Sequence, residues 1–272
     1  MTDRYAVFGN PLGHTKSPQI HQAFAAQFGE DMEYGAVEAP LEGFVQAASR
    51  FFEMGGLGLN VTVPFKTQAS EMANERYSSA EICGAANCLK VESGRIIAEN
   101  FDGVGLLRDV EVNLGVRVKD ARILVLGAGG AARGTIVPFL QAGAGEMVIA
   151  NRTPAKAEEL CDILKDYGPL RATGFDRLGD GFDIVFNSTS ASLTAQGLPI
   201  SNDTFISTDL AYDLVYGKGK TPFLRQAEAA GARQIADGVG MLVEQAAEAF
   251  NWWRGKRPES TKVIADLTVP LV

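Results

Sequence analysis

Lys66 and Asp102 are the residues of this chain whose types and setting can move a proton, and Asn87 is a polar side chain paired with them. Lys66 ends the stretch Asn60-Val-Thr-Val-Pro-Phe-Lys66, and Asp102 lies within Asn100-Phe101-Asp102-Gly103. A lysine ammonium beside a carboxylate can hold a proton, hydrogen-bond a reacting oxygen and exchange that proton as charge develops. Transfer of hydride to a carbonyl needs such a donor for the emerging alkoxide, and the reverse reaction needs the same group as a base. The two histidines, His14 and His21, do not stand in a setting typical of dehydrogenases. Taken singly, Lys66 and Asp102 read as surface charge or a structural ion pair. Their placement after two strand-like segments argues for a proton-transfer pair instead.

The elements that must position them follow a parallel α/β pattern. Leu57–Val63 reads as a strand by its β-branched content, and Pro64 stops it. Tyr5–Phe8 and Glu33–Val37 read as further strands. Helices are expected through Ile20, Ala23, Phe24 and Phe28, and over Phe44–Phe52. Strand, helix, strand, helix is the signature of that architecture. Ala86–Val91 and Arg95–Ala98 read as a hairpin-like edge, after which Val104, Leu107 and Val110 mark one face of a linking helix.

A second unit begins near Gly103. Ala121–Leu126 is a compact apolar strand that runs at once into Gly127-Ala-Gly-Gly130, and a helix follows over Gly134–Leu140. Gly127-x-Gly129-x-x-Ala132 in that context fits a dinucleotide site. The first glycine permits a tight turn, the second lets the backbone approach a pyrophosphate, and Ala132 allows close strand–helix packing at an anion-binding helix N-terminus. The next strand, Met147–Ala150, ends at Asn151-Arg-Thr153, about 20 residues beyond the glycines, where an NAD site usually carries an acid. Here Asn151, Arg152, Thr153 and Lys156 stand instead. Arginine pairs with a 2′-phosphate that a carboxylate would repel, so the expected cofactor is NADP. A helix over Pro154–Leu164 and strands at Asp183–Phe186 and Thr208–Ala211 complete this unit. Val239, Leu242, Val243, Ala246, Ala247 and Phe250 follow helical spacing, and a last helix is expected near Ser260–Leu267. These C-terminal helices are expected to rejoin the first domain, making it discontinuous.

Composition narrows the function classes. The chain has 272 residues, 46% of them apolar, enough for two modest domains. No run reaches the roughly 18 apolar residues of a membrane span, and the N-terminus lacks a signal-peptide core. A net charge of −8 argues against nucleic-acid binding. Cys83, Cys88 and Cys161 show no metal or disulfide spacing, so no metal is expected and a reduced, cytoplasmic protein is. In Gly13-His-Thr-Lys-Ser-Pro18, Ser17 is expected as an N-cap with Pro18 at the first helical position, while Thr15 and Ser17 offer hydroxyls to a polar ligand. His21 is expected on a helix surface, and Trp252 and Trp253 in packing.

Along essentially its whole length the chain resembles the shikimate dehydrogenase family. The resemblance rests on Val7-Phe-Gly-Asn-Pro11, Lys16-Ser-Pro18, Asn60–Lys66, Asp102-Gly-Val-Gly105 and Gly127–Arg133. It continues through Asn151-Arg-Thr153, Asn187-Ser-Thr-Ser190, Tyr216-Gly-Lys-Gly-Lys-Thr-Pro222 and Asp237-Gly-Val-Gly-Met-Leu242, on to Gln245. It implies an α/β protein of two domains. One is an N-terminal α/β substrate domain, 1–102 plus 239–272, and the other a Rossmann-like NADP-binding domain, 103–238. It implies NADP-dependent interconversion of 3-dehydroshikimate and shikimate in aromatic amino-acid biosynthesis, by a monomer or homodimer. Lys66 and Asp102 would form the catalytic pair. Ser17, Thr62, Asn87 and Gln245 would hold the substrate, with Thr15 and Tyr216 assisting. Gly127, Ala128, Gly129, Gly130 and Ala131 would line the diphosphate, and Asn151, Arg152, Thr153 and Lys156 the adenosine phosphate. Thr189, Leu214, Gly238 and Met241 would lie on the nicotinamide side.

Three departures cluster at the substrate positions. Thr15 replaces the family's serine, Phe101 replaces a threonine that members turn toward the substrate, and Cys88 replaces another threonine. Losing one substrate hydrogen bond costs about 0.5–1.5 kcal/mol. The alternatives are therefore a paralogue acting on quinate or a related cyclic hydroxy acid, or a non-catalytic NADP-binding regulatory protein.

Overall fold

The computed structural model describes residues 2–189, 191, 197–217 and 219–271. Ser190 and Lys218, each part of a motif quoted above, lie outside them. The chain forms two compact units: residues up to Asp102 with Val243–Val263, and Gly103–Leu242 with residues from Ile264 on. The segment 239–272 is thus divided between the units, with 239–242 and the last residues grouped with the second.

In the first unit the strands are β1 (Asp3–Gly9), β2 (Met32–Glu38), β3 (Gly56–Val61), β4 (Glu75–Arg76), β5 (Cys88–Glu92) and β6 (Arg95–Glu99). The helices are α1 (Ser17–Phe28), α2 (Phe44–Glu53), α3 (Lys66–Met72) and α4 (Ser78–Cys83). Helix α5 (Asp102–Arg108) starts on the last residue of this unit. The strands form one mixed sheet in the order β2-β1-β3-β5-β6-β4. Successive side chains of a strand face opposite ways. Ala6 and Phe8 of β1 accordingly join Leu59, Val61, Phe44 and Phe65 on one face, while Tyr5 and Val7 join Leu12 and Tyr34 on the other. Trp253 completes that second face, its indole N–H donating to Leu89 O at 3.1 Å.

The second unit continues with β7 (Arg122–Leu126), α6 (Gly130–Gln141), β8 (Glu146–Ala150), α7 (Pro154–Leu164), β9 (Leu170–Thr173), β10 (Ile184–Asn187), β11 (Leu210–Asp213), α8 (Pro222–Ala229) and β12 (Gln234–Asp237). Helices α9 (Val239–Arg254) and α10 (Thr261–Leu267) close the chain. All six strands are parallel, in the order β12-β11-β10-β7-β8-β9. That is the doubly wound arrangement, with β7 and β10 flanking the point where strand order reverses and ligands gather at the carboxyl ends.

Several expectations need correction. β3 stops at Val61, so Lys66 opens a helix instead of ending a strand. The β5–β6 hairpin is covered by the two-residue β4 and is not the sheet edge. Val104 is exposed, because Leu106 and Val110 carry the buried face of the segment after Asp102. The short elements α3, α4, β4, β9, α8 and β12 lack the length that makes a periodic pattern readable. No helix among the described residues is long and apolar enough to cross a membrane.

Candidate active site

Beyond β3 the chain turns at Thr62, whose carbonyl accepts the Phe65 N–H at 3.1 Å. Phe65 is fully buried and stacks on Phe44 with ring centroids 4.9 Å apart, which anchors the turn and delivers Lys66 at the start of α3. Lys66 Nζ donates to Asp102 Oδ2 at 2.5 Å. The Asp102 side chain is 9% exposed and that of Lys66 28%, so the ammonium is the member of the pair that meets solvent or a ligand. Asp102 opens α5, where the helix N-terminus favours negative charge.

The second carboxylate oxygen, Asp102 Oδ1, accepts from Asn87 Nδ2 at 2.9 Å. The same amide donates to Gln245 Oε1 at 3.1 Å, and Asn87 Oδ1 accepts the Phe101 N–H at 2.8 Å. Lys66, Asn87, Asp102, Gln245 and the Phe101 backbone therefore form one network. Glu99, which sequence reading missed, sets the loop that leads into it. Its Oε1 accepts the N–H groups of Asn100 at 2.7 Å and Ala80 at 3.1 Å, and Asn100 Oδ1 in turn accepts the Asp102 N–H at 3.0 Å. Burial pushes the Glu99 carboxyl up, against the opposing pull of these backbone donors. An acid at a strand end looks like surface charge in a sequence, and only its burial reveals otherwise.

The other first-unit candidates are placed as follows. Thr15 Oγ1 donates to Ser17 Oγ at 3.3 Å. Ser17 is buried as the first residue of α1, with Lys16 in the cap position, so it is not the N-cap expected. Its hydroxyl is engaged by Thr15 and faces the phenol of Tyr34. Thr62 is half-buried in the turn before Lys66. The Phe101 ring lies edge-on to Trp252, 5.7 Å between centroids, and Lys90 Nζ sits 4.6 Å from the Trp252 ring centre. Cys88 is fully buried and its thiol is pushed up by burial, first of all. His21 is not on a surface: it is fully buried, stacked on Tyr34 with centroids 4.1 Å apart. Burial lowers its pKa to about 3, opposed by the amide of Asn60, and neither ring nitrogen reaches hydrogen-bond geometry.

In the second unit the ends of β7 and β8 carry the residues expected to hold a nucleotide. Gly127 follows β7 at φ +110, a conformation only glycine adopts freely, and a Cβ there would fall 2.7 Å from Ser188 Oγ. Gly129, Gly130 and Ala131 are exposed, Ala128 is half-buried, and a Cβ built on Gly129 or Gly130 would meet nothing within 4 Å. That is open space over the first turn of α6, whose N–H groups favour an anion. After β8, Arg152, Thr153 and Lys156 are exposed, Asn151 Nδ2 donates to Thr153 O at 3.0 Å, and no acid occurs between 151 and 157. This donor set fits a dinucleotide carrying a 2′-phosphate.

At the neighbouring strand ends buried acids brace the loops. Thr189 donates through Oγ1 to Asn187 Oδ1 at 2.7 Å, and Asn187 Nδ2 donates to Asp213 Oδ1 at 3.2 Å. Asp237 accepts the N–H groups of Gly217 at 3.1 Å and Val239 at 3.2 Å. Gly238 packs against Leu214, whose carbonyl oxygen a Cβ would approach to 2.3 Å. Tyr216 is half-buried and its pKa is raised by that burial. Met241 lies half-buried in the first turn of α9.

Family models match three stretches: "Shikimate dehydrogenase substrate binding domain" over 7–89, "Shikimate / quinate 5-dehydrogenase" over 110–196 and "Shikimate 5'-dehydrogenase C-terminal domain" over 238–266. The chain is 52% identical to the shikimate dehydrogenase (NADP(+)) of Alkalilimnicola ehrlichii, covering 98% of this chain and 99% of that one. Among solved structures it is similar to an Ael1 enzyme from Pseudomonas putida, 55% identical, with a TM-score of 0.96 over 99% of this chain and all of the other. It is also similar to the Thermus thermophilus shikimate 5-dehydrogenase solved with NADP(H) and shikimate. That likeness is 30% identical, with a TM-score of 0.88 over 97% of each chain.

Proposed function

Because this chain belongs to the shikimate dehydrogenase family, we propose that it catalyses the reversible, NADP-dependent reduction of 3-dehydroshikimate to shikimate. The observation that carries this reading is the Lys66–Asp102–Asn87–Gln245 network. Bound NADP(H) supplies the hydride donor or acceptor. In the reductive direction Lys66 Nζ gives a proton to the oxygen that becomes the hydroxyl, and in the oxidative direction it takes that proton back. Asp102 holds the ammonium by a charge-assisted bond and Asn87 fixes the carboxylate, so the lysine is oriented before the substrate arrives. Gln245, Ser17, Thr62 and Thr15 supply neutral donors and acceptors suited to a polyhydroxy acid, and Tyr216 is a further assisting residue that the family resemblance implies. Gly127 to Ala131 would line the diphosphate, Asn151, Arg152, Thr153 and Lys156 the adenosine phosphate, and Thr189, Leu214, Gly238 and Met241 the nicotinamide side. A cytoplasmic monomer or homodimer without nucleic-acid partners agrees with the charge of −8.

One observation favours a second reading. Phe101, whose backbone N–H is held by Asn87, carries an aromatic ring edge-on to Trp252 where the family carries a hydroxyl. This supports a preference for quinate or a related cyclic hydroxy acid. Cys88 does not add to it, since its thiol is buried beside Tyr34. The test is nucleotide reduction by the purified protein with shikimate and with quinate, each with NADP and NAD. Turnover of shikimate with NADP alone supports the first reading. A preference for quinate supports the second, and NADP binding without turnover of either sinks both.

A further inference from the structure

The start of α9 is held in an unusual way. The first four N–H groups of a helix have no partner within it. Here the Val239 N–H goes to Asp237 Oδ1 at 3.2 Å, and the Met241 N–H goes to the phenol oxygen of Tyr212 at 3.1 Å. Tyr212 lies in β11 and is fully buried. Its hydroxyl donates to Asp109 Oδ2 at 2.8 Å. A phenol has one proton, so the direction is fixed: the proton points to Asp109 and a lone pair receives Met241. Burial, with the charge of Asp109 next, raises the Tyr212 pKa well above its ordinary value, which keeps the proton in place.

Asp109 is itself buried, in a single π-helical turn over Asp109–Asn113, and its Oδ1 accepts from Asn113 Nδ2 at 2.9 Å. The carboxylate lies so close to Gly240 that a Cβ there would sit 2.0 Å from Oδ1. Three distant stretches of chain thus meet at one point: the π turn, β11 and the first turn of α9. Burying a carboxylate and a phenol is costly, and well-packed apolar groups fill such a space at least as stably. What apolar groups would not do is hold one backbone N–H in a set place.

We propose that Asp109 and Tyr212 are positioning residues for the nicotinamide end of the dinucleotide, acting through Met241. The chain from Asp109 to Tyr212 to the Met241 N–H sets the first turn of α9, and with it the side chain against which the nicotinamide ring is seated. The proposal rests on the cofactor reading given above.

Tyr212→Phe keeps the ring and its edge contact with Phe186 but removes the hydroxyl. Calorimetric titration with NADP⁺ and with 2′,5′-ADP, which has the adenosine phosphates but no nicotinamide, separates the two ends of the cofactor. We expect NADP⁺ to bind roughly three- to tenfold more weakly while 2′,5′-ADP changes less than about twofold. Asp109→Asn, which keeps an acceptor, should lose less, and Gly240→Ala, which displaces the carboxylate, should match Tyr212→Phe. A thermal melt of each variant confirms that it is folded. Equal weakening of both ligands, or of neither, overturns the proposal. A wild-type protein that binds neither ligand overturns it together with the cofactor reading. Selective weakening of NADP⁺ in a protein that turns over no cyclic hydroxy acid upholds it and sinks only the substrate assignment.

Discussion

Asn87 donates its side-chain amide to Asp102 on the carboxylate oxygen that Lys66 does not use. It also accepts the Phe101 N–H, so one side chain fixes both the carboxylate and the backbone that carries it. Asn87→Ala should lower turnover at least roughly tenfold, since a hydrogen bond to a charged group is worth about 1.5–3 kcal/mol. It should also cost about 1–3 kcal/mol of stability by leaving that N–H unpaired. Steady-state kinetics and urea unfolding check the two effects. Lost stability with unchanged turnover would make Asn87 purely structural.

Lys66 Nζ is held by Asp102, and the residue lies in the first unit, apart from the glycine turn in the sequence. Lys66→Ala should reduce turnover by about 10²–10⁴-fold, the range for removing a general acid or base. NADP⁺ affinity should change little. A parallel collapse of cofactor binding would show that the lysine supports structure instead of chemistry.

Arg152 is exposed directly after β8, with no acid nearby in sequence to compete for it. Arg152→Ala should weaken NADP⁺ by roughly 10- to 100-fold, the worth of a charged hydrogen bond, and NAD⁺ hardly at all. Dissociation constants for the two nucleotides decide it. An equal loss for both would remove the 2′-phosphate assignment.

The legible parts of the molecule were those where local pattern and burial coincide. The five-residue strand β7 is apolar almost throughout and meets glycines that tolerate a tight turn, so strand, turn and helix announce themselves together. Lys66 was legible because Pro64 and the strand before it mark an abrupt end. The buried polar groups were not legible. Glu99, Asp109, Asp213 and Asp237 each look like ordinary surface charge until partners from other strands are in place. Asp109 is closed off by Tyr212, and Asp213 accepts Thr221 Oγ1 at 2.7 Å. His21 misled for the same reason: on α1 it has helical spacing, but its burial comes from Tyr34 and Phe250, which no local window contains.

Acid sensitivity should trace to His21. Its pKa falls from 6.5 to about 3 on burial, so between those values the unfolded chain binds a proton that the folded protein does not. Stability is therefore complete above pH 6.5 and declines as pH falls from there toward 3, by about 1.4 kcal/mol per pH unit. His21→Phe keeps the stack on Tyr34 and removes the titration. Urea midpoints at pH 7 and pH 5 should differ clearly for the wild type and much less for the variant. An unchanged pH slope in the variant would assign the acid sensitivity to other groups.

Phe101 tests how far this chain departs from its relatives. Its backbone is pinned by Asn87 and its ring by the edge contact with Trp252, so both backbone and ring are held in a defined place. Phe101→Thr restores a hydroxyl and should lower the KM for shikimate by roughly two- to tenfold, the worth of one hydrogen bond. The lost aromatic contact should cost about 0.5–1.5 kcal/mol of stability, visible in urea unfolding. A lower KM for shikimate with a higher one for quinate would make Phe101 the residue that sets substrate preference. No change in either KM, with the expected loss of stability, would mean that the ring serves Trp252 alone and that shikimate meets only the groups shared with the family.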